Sequence, residues 1–436
     1  MRFPDDFKFG WSQSGFQFEM GGKGPLDSNS DWFAWVHDKE NIIGGLVSGD
    51  LPEKGVGYLS DYHKYHLNAQ EMSLNTVRIG IEWSRLIPEK RKVDEKAVQT
   101  YREILKDLKN LGFHVILNLY HWSMPLWVHD PISVRKGENG EKGGWLNEST
   151  VDHFKKFVDD SVRYFDDLVD EYVIVNEPNV IWKAGFVLVK MGFPPSYLSL
   201  EKANIARRNL ISATNEAYNA IKSLTKKKVG VVYAMADIQC QDRLVQDKAK
   251  MDEEYYFLDS TKWDWLGVNY YTRIVVEPLE DGFLVKRGLG MYAQGLQLSL
   301  EGRDVSDNGW EFYPEGLYNV LVDAWRRYGK EIYVTENGVA DSQDRLRPKY
   351  IVSHLYYVKK AIDEGVPVKG YLHWSLVDNY EWSSGFSARF GLMGMNFKTR
   401  ETWWRPSAFV YREIAKTKVI DEKIRSYVFG KDSNNV

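Results

Sequence analysis

The feature that most constrains this chain is the alternation of short apolar, β-branched runs with stretches of helical periodicity. The runs span Phe7 to Gly15, Thr76 to Trp83, Val115 to Leu119, Tyr172 to Asn176, Val229 to Tyr233, Trp265 to Tyr271, Ile332 to Glu336 and Lys369 to Ser375. Between them, Tyr58 to Met72 reads as a helix, and Tyr101, Ile104, Leu105, Leu108 and Leu111 fall at helical spacing ahead of Gly112, where a helix would stop. Phe154, Phe157, Val158, Phe165 and Leu168 mark another helix, for which Ser149 and Asp152 supply a capping-box start. Helices over 201–224, 315–327, 350–364 and about 406–415 continue the pattern. Runs that are apolar on both faces and alternate with helices predict a parallel sheet covered by helices. Eight such units close most economically into an α/β (β/α)8 TIM barrel. The competing doubly wound sheet lacks a G-x-G-x-x-G turn after its first strand.

No Pro/Ser-rich linker or low-complexity block divides the 436 residues. We therefore expect one barrel domain over 1–436, with loop insertions at about 16–57, 123–148 and 273–310. A formal net charge of −4 argues against a general nucleic-acid surface. Lys226, Lys227 and Lys228 read as a solvated helix end. The single cysteine, Cys240, fits a reducing compartment and simple packing. Met1 to Phe7 lacks the apolar core of a signal peptide, and no stretch is long enough for a membrane span, so a cytoplasmic protein is expected.

In a barrel of this kind, function sits at the C-terminal ends of the strands. Two tips share a design. Tyr172-Val-Ile-Val-Asn-Glu-Pro178 ends in Asn176 and Glu177, with Pro178 expected to keep Glu177 extended. Ile332-Tyr-Val-Thr-Glu-Asn-Gly338 ends in Glu336, with Gly338 expected to permit a sharp exit turn. Either carboxylate alone would read as a solvated strand end. The other tips bring Gln17, Arg78, His121 with Trp122, Asn269 with Tyr271, and Trp374, followed by Glu381 and Trp382. The cup lacks the ligand spacing of a metal site, and no cofactor is expected. His63 and His66 lie three apart on a helix and read as solvated surface. With 16 Trp and 26 Tyr in the chain, carboxylates, amides and aromatic walls suit a neutral, hydroxyl-rich ligand such as a sugar.

The chain resembles the family 1 glycoside hydrolases, the retaining β-glycosidases, over essentially its whole length. The matching segments are Phe7 to Glu19, Arg78-Ile-Gly-Ile-Glu-Trp-Ser-Arg85, Tyr120-His-Trp122, Asn176-Glu-Pro178 and Leu266-Gly-Val-Asn-Tyr-Tyr-Thr272. They continue with Gly309-Trp-Glu-Phe-Tyr-Pro314, Val334-Thr-Glu-Asn-Gly338 and Trp374-Ser-Leu-Val-Asp-Asn-Tyr-Glu-Trp382. Residues 179–200 and Trp404-Arg-Pro-Ser407 look most like the archaeal, largely thermophilic branch, which implies a thermostable protein. By analogy with that branch, a homo-oligomer, dimer or tetramer, is expected.

The resemblance implies Glu336 as nucleophile and Glu177 as general acid/base, with the two carboxyls about 5–5.5 Å apart as a retaining mechanism requires. Arg78 and Tyr271 would keep Glu336 ionised. Asn176 matches the binder of the sugar 2-hydroxyl, and Gln17, His121, Trp122, Glu381 and Trp382 match binders of the 3-, 4- and 6-hydroxyls. Trp374 matches the stacking platform, and the family carries a cis peptide at the position of Trp374-Ser375. Asn269 and Phe390 complete the substrate-facing set.

Phospho-glycosidases of the family have Ser at the position of Glu381, and Lys and Tyr at those of Ala388 and Phe390. The implied substrates are therefore unphosphorylated β-D-glucosides, galactosides or fucosides, as small glycosides or short oligosaccharides. β-Mannosidase relatives differ at Arg78 and Asn176. A transglycosylating member is the alternative within the family, and a non-enzymatic sugar binder would have lost a carboxylate that this chain keeps. Ile174 replaces the family's usual Thr and suits a buried position. The loop His129 to Gly144 is expected to rim the aglycone side, and Trp182 and Phe186 either line that rim or pack in the core.

Overall fold

A computed structural model describes residues 1–138 and 140–430. Asn139, within the expected rim loop, and residues 431–436, the end of the expected domain, lie outside that description.

Eight parallel strands close on themselves: β1 (Lys8–Ser12), β2 (Thr76–Gly80), β3 (His114–Asn118), β4 (Glu171–Asn176), β5 (Val229–Gln239), β6 (Trp265–Leu279), β8 (Ile332–Asn337) and β9 (Val368–His373). The ring is closed by pairing of β5 with β6 and of β1 with β9. The remaining strand of the sheet, β7 (Gly282–Val285), folds back antiparallel on the long outer end of β6. It forms the strand-and-turn insertion expected after residue 273.

The barrel floor is apolar. Ile116, Val173, Val232, Trp265, Tyr333 and Leu372 point inward and pack together. The opposite faces of the strands meet the helices in the main core, which runs from Phe3 to Ile424. Ile174 is fully buried there, on the helix side of β4. The helix Glu95–Asn110 shows how sequence sets this packing. Asp94 caps its first turn by accepting from the N–H groups of Lys96 and Ala97, and Val98, Tyr101, Ile104, Leu105 and Leu108 form its buried stripe.

Three local expectations are corrected, and one helix is new. The helix Ser149–Phe165 starts one residue early, from Glu148, with no side-chain cap, so Ser149 lies inside its first turn and forms no capping box. His66 is buried rather than solvated, because its two ring nitrogens meet the Tyr58 hydroxyl (2.6 Å) and Asp107 (2.6 Å). Burial lowers its pKa to about 4. The helix Arg347–Asp363 begins three residues before the expected Tyr350, with Pro348 in its first turn. A terminal helix, Glu422–Phe429, was not anticipated; only Ile424 of it is buried, which leaves too weak a periodic signal.

Candidate active site

Every strand-tip residue singled out above comes to the C-terminal mouth of the barrel. Glu177 does so in an unexpected conformation. Asn176 N–H donates to Tyr120 O (2.9 Å) and Glu177 N–H to Val232 O (2.8 Å), so both residues are held by neighbouring strands. In a regular strand, successive side chains point to opposite faces. Here the ladder shifts register between Val173 and Asn176, and Glu177 takes φ 46°, ψ 59° instead of staying extended. Pro178 closes the right-handed helical region to Glu177 and then opens the helix Pro178–Phe186. The left-handed step breaks the alternation and turns the adjacent Asn176 and Glu177 towards the same cup. Trp122 (φ 75°) and Trp382 (φ 51°) are two further site residues at positive φ, a costly conformation that tends to mark functional sites.

Gly338 also acts differently from expectation. Its need is for space, since a Cβ there would lie 1.8 Å from Trp374 O. This close approach lets the tips of β8 and β9 meet beside the Trp374-Ser375 peptide, which is cis.

Glu336 is buried and held from two sides. Arg78 donates Nη2–H to Oε1, and the Tyr271 hydroxyl donates to Oε2 at 2.6 Å. Arg78 is itself fixed, donating Nε–H to Ser12 Oγ (3.2 Å) and Nη1–H to Asn176 Oδ1 (2.9 Å). Asn269 links the two carboxyls. Its Nδ2 donates to Glu177 Oε1 (2.8 Å) and Asn176 Oδ1 (3.1 Å), and the same side chain lowers the proton affinity of Glu336.

Burial raises both carboxyls above the usual range, but unequally in surroundings. Glu336 has the guanidinium and phenol opposing that rise. Glu177 is pushed up to about 8, first by burial and then by the charge on Glu336. The pair therefore ionises first at Glu336, while Glu177 keeps its proton.

The sugar-facing wall is equally ordered. Gln17 lies in the short turn Gly15–Phe18, where the Ser14 hydroxyl donates to its Oε1 (2.8 Å). That contact sends Gln17 Nε2 towards Asn379 Oδ1 (3.1 Å) and Glu381 Oε2 (3.2 Å). His121 stacks between Trp374 (6.2 Å, 29°) and Trp382 (5.8 Å, 21°), and its Nε2 faces Asn176 Nδ2 at 3.1 Å. Burial and Arg78 hold its pKa well below 6.5, so the ring is neutral. With Asn176 donating to Nε2, the neutral ring carries its hydrogen on Nδ1, 3.4 Å from the Asn118 amide, whose otherwise unpartnered Oδ1 must be the end turned to accept it. Trp122 donates its indole N–H to Asn176 O (3.0 Å). Phe390 packs edge-on against Tyr271 (6.1 Å, 76°), behind the phenol. Of the two candidate rim residues, Trp182 stacks on Phe257 in the core. Phe186 lines a small cavity of about 30 Å³ with Trp122, Phe193, Trp145 and His129.

The strand-tip reading gives no site role to Ser12, Asn118, Thr335 and Asn379. The first three sit on strands and the last lies beyond β9. Each reads as ordinary strand or loop material, because a polar residue near a named site residue carries no separate signal. Among the described residues, no group of three or more His, Cys, Asp or Glu is arranged to hold a metal ion. No described helix is long and apolar enough to cross a membrane.

A parallel barrel with two buried carboxyls, amides and aromatic walls at its strand tips defines the class of sugar-cleaving barrel hydrolases. The chain belongs to glycosyl hydrolase family 1, whose model matches residues 1–257 and 233–420. It is 46% identical to a β-galactosidase of Sulfolobus acidocaldarius over 97% of both chains. The solved β-glycosidase of the hyperthermophile Thermosphaera aggregans superposes with a TM-score of 0.95 at 43% identity, over 98% of this chain and 100% of that one. A β-glucosidase mutant described as derived from a hyperthermophilic tetrameric structure gives 0.94 at 43% identity, over 98% of both. The chain is thus an O-glycosyl hydrolase of the β-glycosidase type, using the retaining route general to the family. Its relatives' hyperthermophilic sources agree with the thermostable character expected.

Proposed function

We propose that Glu336 is the nucleophile and Glu177 the acid/base of a double displacement on unphosphorylated β-D-glucosides, galactosides or fucosides. The observation that carries this reading is the asymmetry of the two carboxyls: Glu336 is paired with Arg78 and Tyr271, whereas Glu177 holds its proton up to about pH 8. In the first step Glu336 attacks the anomeric carbon while Glu177 gives its proton to the departing glycosidic oxygen. The aglycone leaves as an alcohol, and the sugar is esterified on Glu336. Glu177, now ionised, takes a proton from water, whose oxygen attacks the same carbon and frees Glu336 with net retention. Asn176 binds the 2-hydroxyl. Gln17, His121, Trp122, Glu381 and Trp382 bind the remaining hydroxyls of a single terminal sugar, and Trp374 supports its face.

Glu381 is held protonated up to about pH 8 by burial and by the charge on Glu336. A 6-phosphate would add negative charge to that field, and Ala388 and Phe390 bring no cation to meet it. The proposed assembly is a single domain over 1–436, supported by a core continuous from Phe3 to Ile424, acting as a cytoplasmic dimer or tetramer. Size-exclusion chromatography with light scattering reads the assembly directly.

The function is tested by hydrolysis of chromogenic β-D-glucoside, galactoside, fucoside and mannoside by the wild type, Glu336→Ala and Glu177→Ala. Both variants should lose turnover, and azide should rescue Glu177→Ala to a β-glycosyl azide, whereas azide standing in for the nucleophile of Glu336→Ala would give the α-glycosyl azide. Unchanged turnover in Glu336→Ala would overturn the assignment.

A further inference from the structure

Glu82 is a buried carboxyl that the reaction does not use. It lies just beyond β2, is 2% exposed, and stands outside the sugar cup. Its two oxygens are shared between two loops that the chain brings together from distant positions. Oε1 accepts from the Phe16 N–H at 2.8 Å, and Oε2 accepts from the Ser123 hydroxyl. Its own N–H donates to the Tyr101 hydroxyl (3.0 Å), which donates onward to Glu19 Oε1 (2.7 Å). Arg85 closes that chain on Glu19 Oε2 (2.6 Å).

The partners of Glu82 matter because of what stands next to them. Phe16 precedes Gln17 and stacks on Trp382 at 5.5 Å and 7°. Ser123 comes directly after His121 and Trp122, and its N–H donates to His121 O at 3.0 Å. The carboxyl is packed so closely beneath the first loop that a Cβ on Gly15 would come within 2.4 Å of Oε1. Its fixed geometry therefore sets the separation between the Gln17/Trp382 side and the His121/Trp122 side of the glycone pocket.

We infer that Glu82 is a positioning residue, a buried staple between Phe16 and Ser123 that fixes the spacing of the two loops binding the terminal sugar. The inference rests on the glycosidase reading above. A neutral carboxamide of the same shape can serve the same two partners, with its oxygen accepting from Phe16 N–H and its nitrogen donating to Ser123 Oγ. Burial and the neighbouring Glu19 and Asp27 raise the Glu82 pKa well above the usual carboxyl range, so loss of charge itself costs little.

The test compares wild type, Ser123→Ala, Glu82→Ala and Glu82→Gln on an aryl β-glycoside and on its 3-deoxy and 4-deoxy analogues. Misplacing binding groups by a fraction of an ångström should lower kcat/KM on the parent by roughly tenfold to a hundredfold in Ser123→Ala and Glu82→Ala. That loss should shrink on at least one analogue, whose missing hydroxyl no longer meets the displaced loop, and Glu82→Gln should recover most of it. Equal losses on all three substrates, or no loss in Ser123→Ala, would overturn the inference. Because wild-type turnover is measured on the same plates, failure of the glycosidase reading would appear separately, as no cleavage by the wild type.

Discussion

Thr335 donates its hydroxyl hydrogen to Asn269 Oδ1 at 2.7 Å, which fixes the end of the Asn269 amide that faces the carboxyls. With the oxygen claimed by Thr335, Nδ2 must point to Glu177 and Asn176. Thr335→Val keeps the volume and removes this latch. It should lower kcat/KM by roughly tenfold, about the worth of one buried hydrogen bond, and more for glycosides with poor leaving groups. A series of aryl glycosides of graded leaving-group pKa checks this.

Arg78 serves Ser12, Asn176 and Glu336 through three different nitrogens. A lysine keeps the charge but cannot reproduce that planar fork. Arg78→Lys should therefore cost roughly a hundredfold in kcat, while Tyr271→Phe, which removes one bond to a charged oxygen, should cost about tenfold. Steady-state kinetics on a single β-glucoside give both numbers.

The Glu177 pKa, raised to about 8, predicts the alkaline limb of the kcat/KM profile. Below that value the acid holds its proton and the glycosidic oxygen can be protonated; above it the proton is lost and activity falls. The profile of wild type on a substrate with a poor leaving group should bend near pH 8. Glu177→Gln should show only its residual, pH-flat rate there.

The same raised values predict a stability effect that runs in the same direction with pH as activity does. Glu177 and Glu381 hold protons in the fold that the unfolded chain releases at ordinary carboxyl pH, so folding gains from them at low pH. That gain is lost as pH rises from the unfolded value near 4.5 through about 8. Glu381→Gln, which needs no proton, should raise the thermal midpoint relative to wild type at pH 9 and not at pH 4. Differential scanning calorimetry at the two pH values tests the sign.

Selection against a 6-phosphate should come from the charge on Glu336 and from the lack of a cation at Ala388 and Phe390 beside the protonated Glu381. An aryl β-glucoside should be cleaved with at least a tenfold higher kcat/KM than its 6-phosphate, since an uncompensated charge repulsion of about 1.4 kcal/mol already gives that ratio. Preference for the phosphate would contradict this reading of the pocket.

Much of this molecule was legible in its sequence because barrel strands are short, apolar and repeated. Val173 to Val175 and Ile332 to Val334 announce buried strands, and the polar residues at the end of each strand announce the mouth of the barrel. What escaped depends on long-range closure. The left-handed turn at Glu177 comes from hydrogen bonds to Tyr120 and Val232, which only the assembled ring supplies. Gly338 looked like a turn residue, yet its partner is Trp374 O, just past the end of the next strand. His66 looked solvated until Tyr58 and Asp107 closed over it. Glu82 gave no sign at all, because its partners lie 66 and 41 residues away.

The central claim is that the sugar passes through a covalent bond to Glu336. A 2-deoxy-2-fluoro-β-glucoside with a good leaving group slows the second step and should trap that ester. Intact mass should rise by one fluoroglucosyl unit, and peptide mapping should place it on the segment Ile332 to Gly338, at Glu336. A wild-type enzyme that turns over β-glucosides yet carries the label elsewhere, or never carries it, would contradict the account.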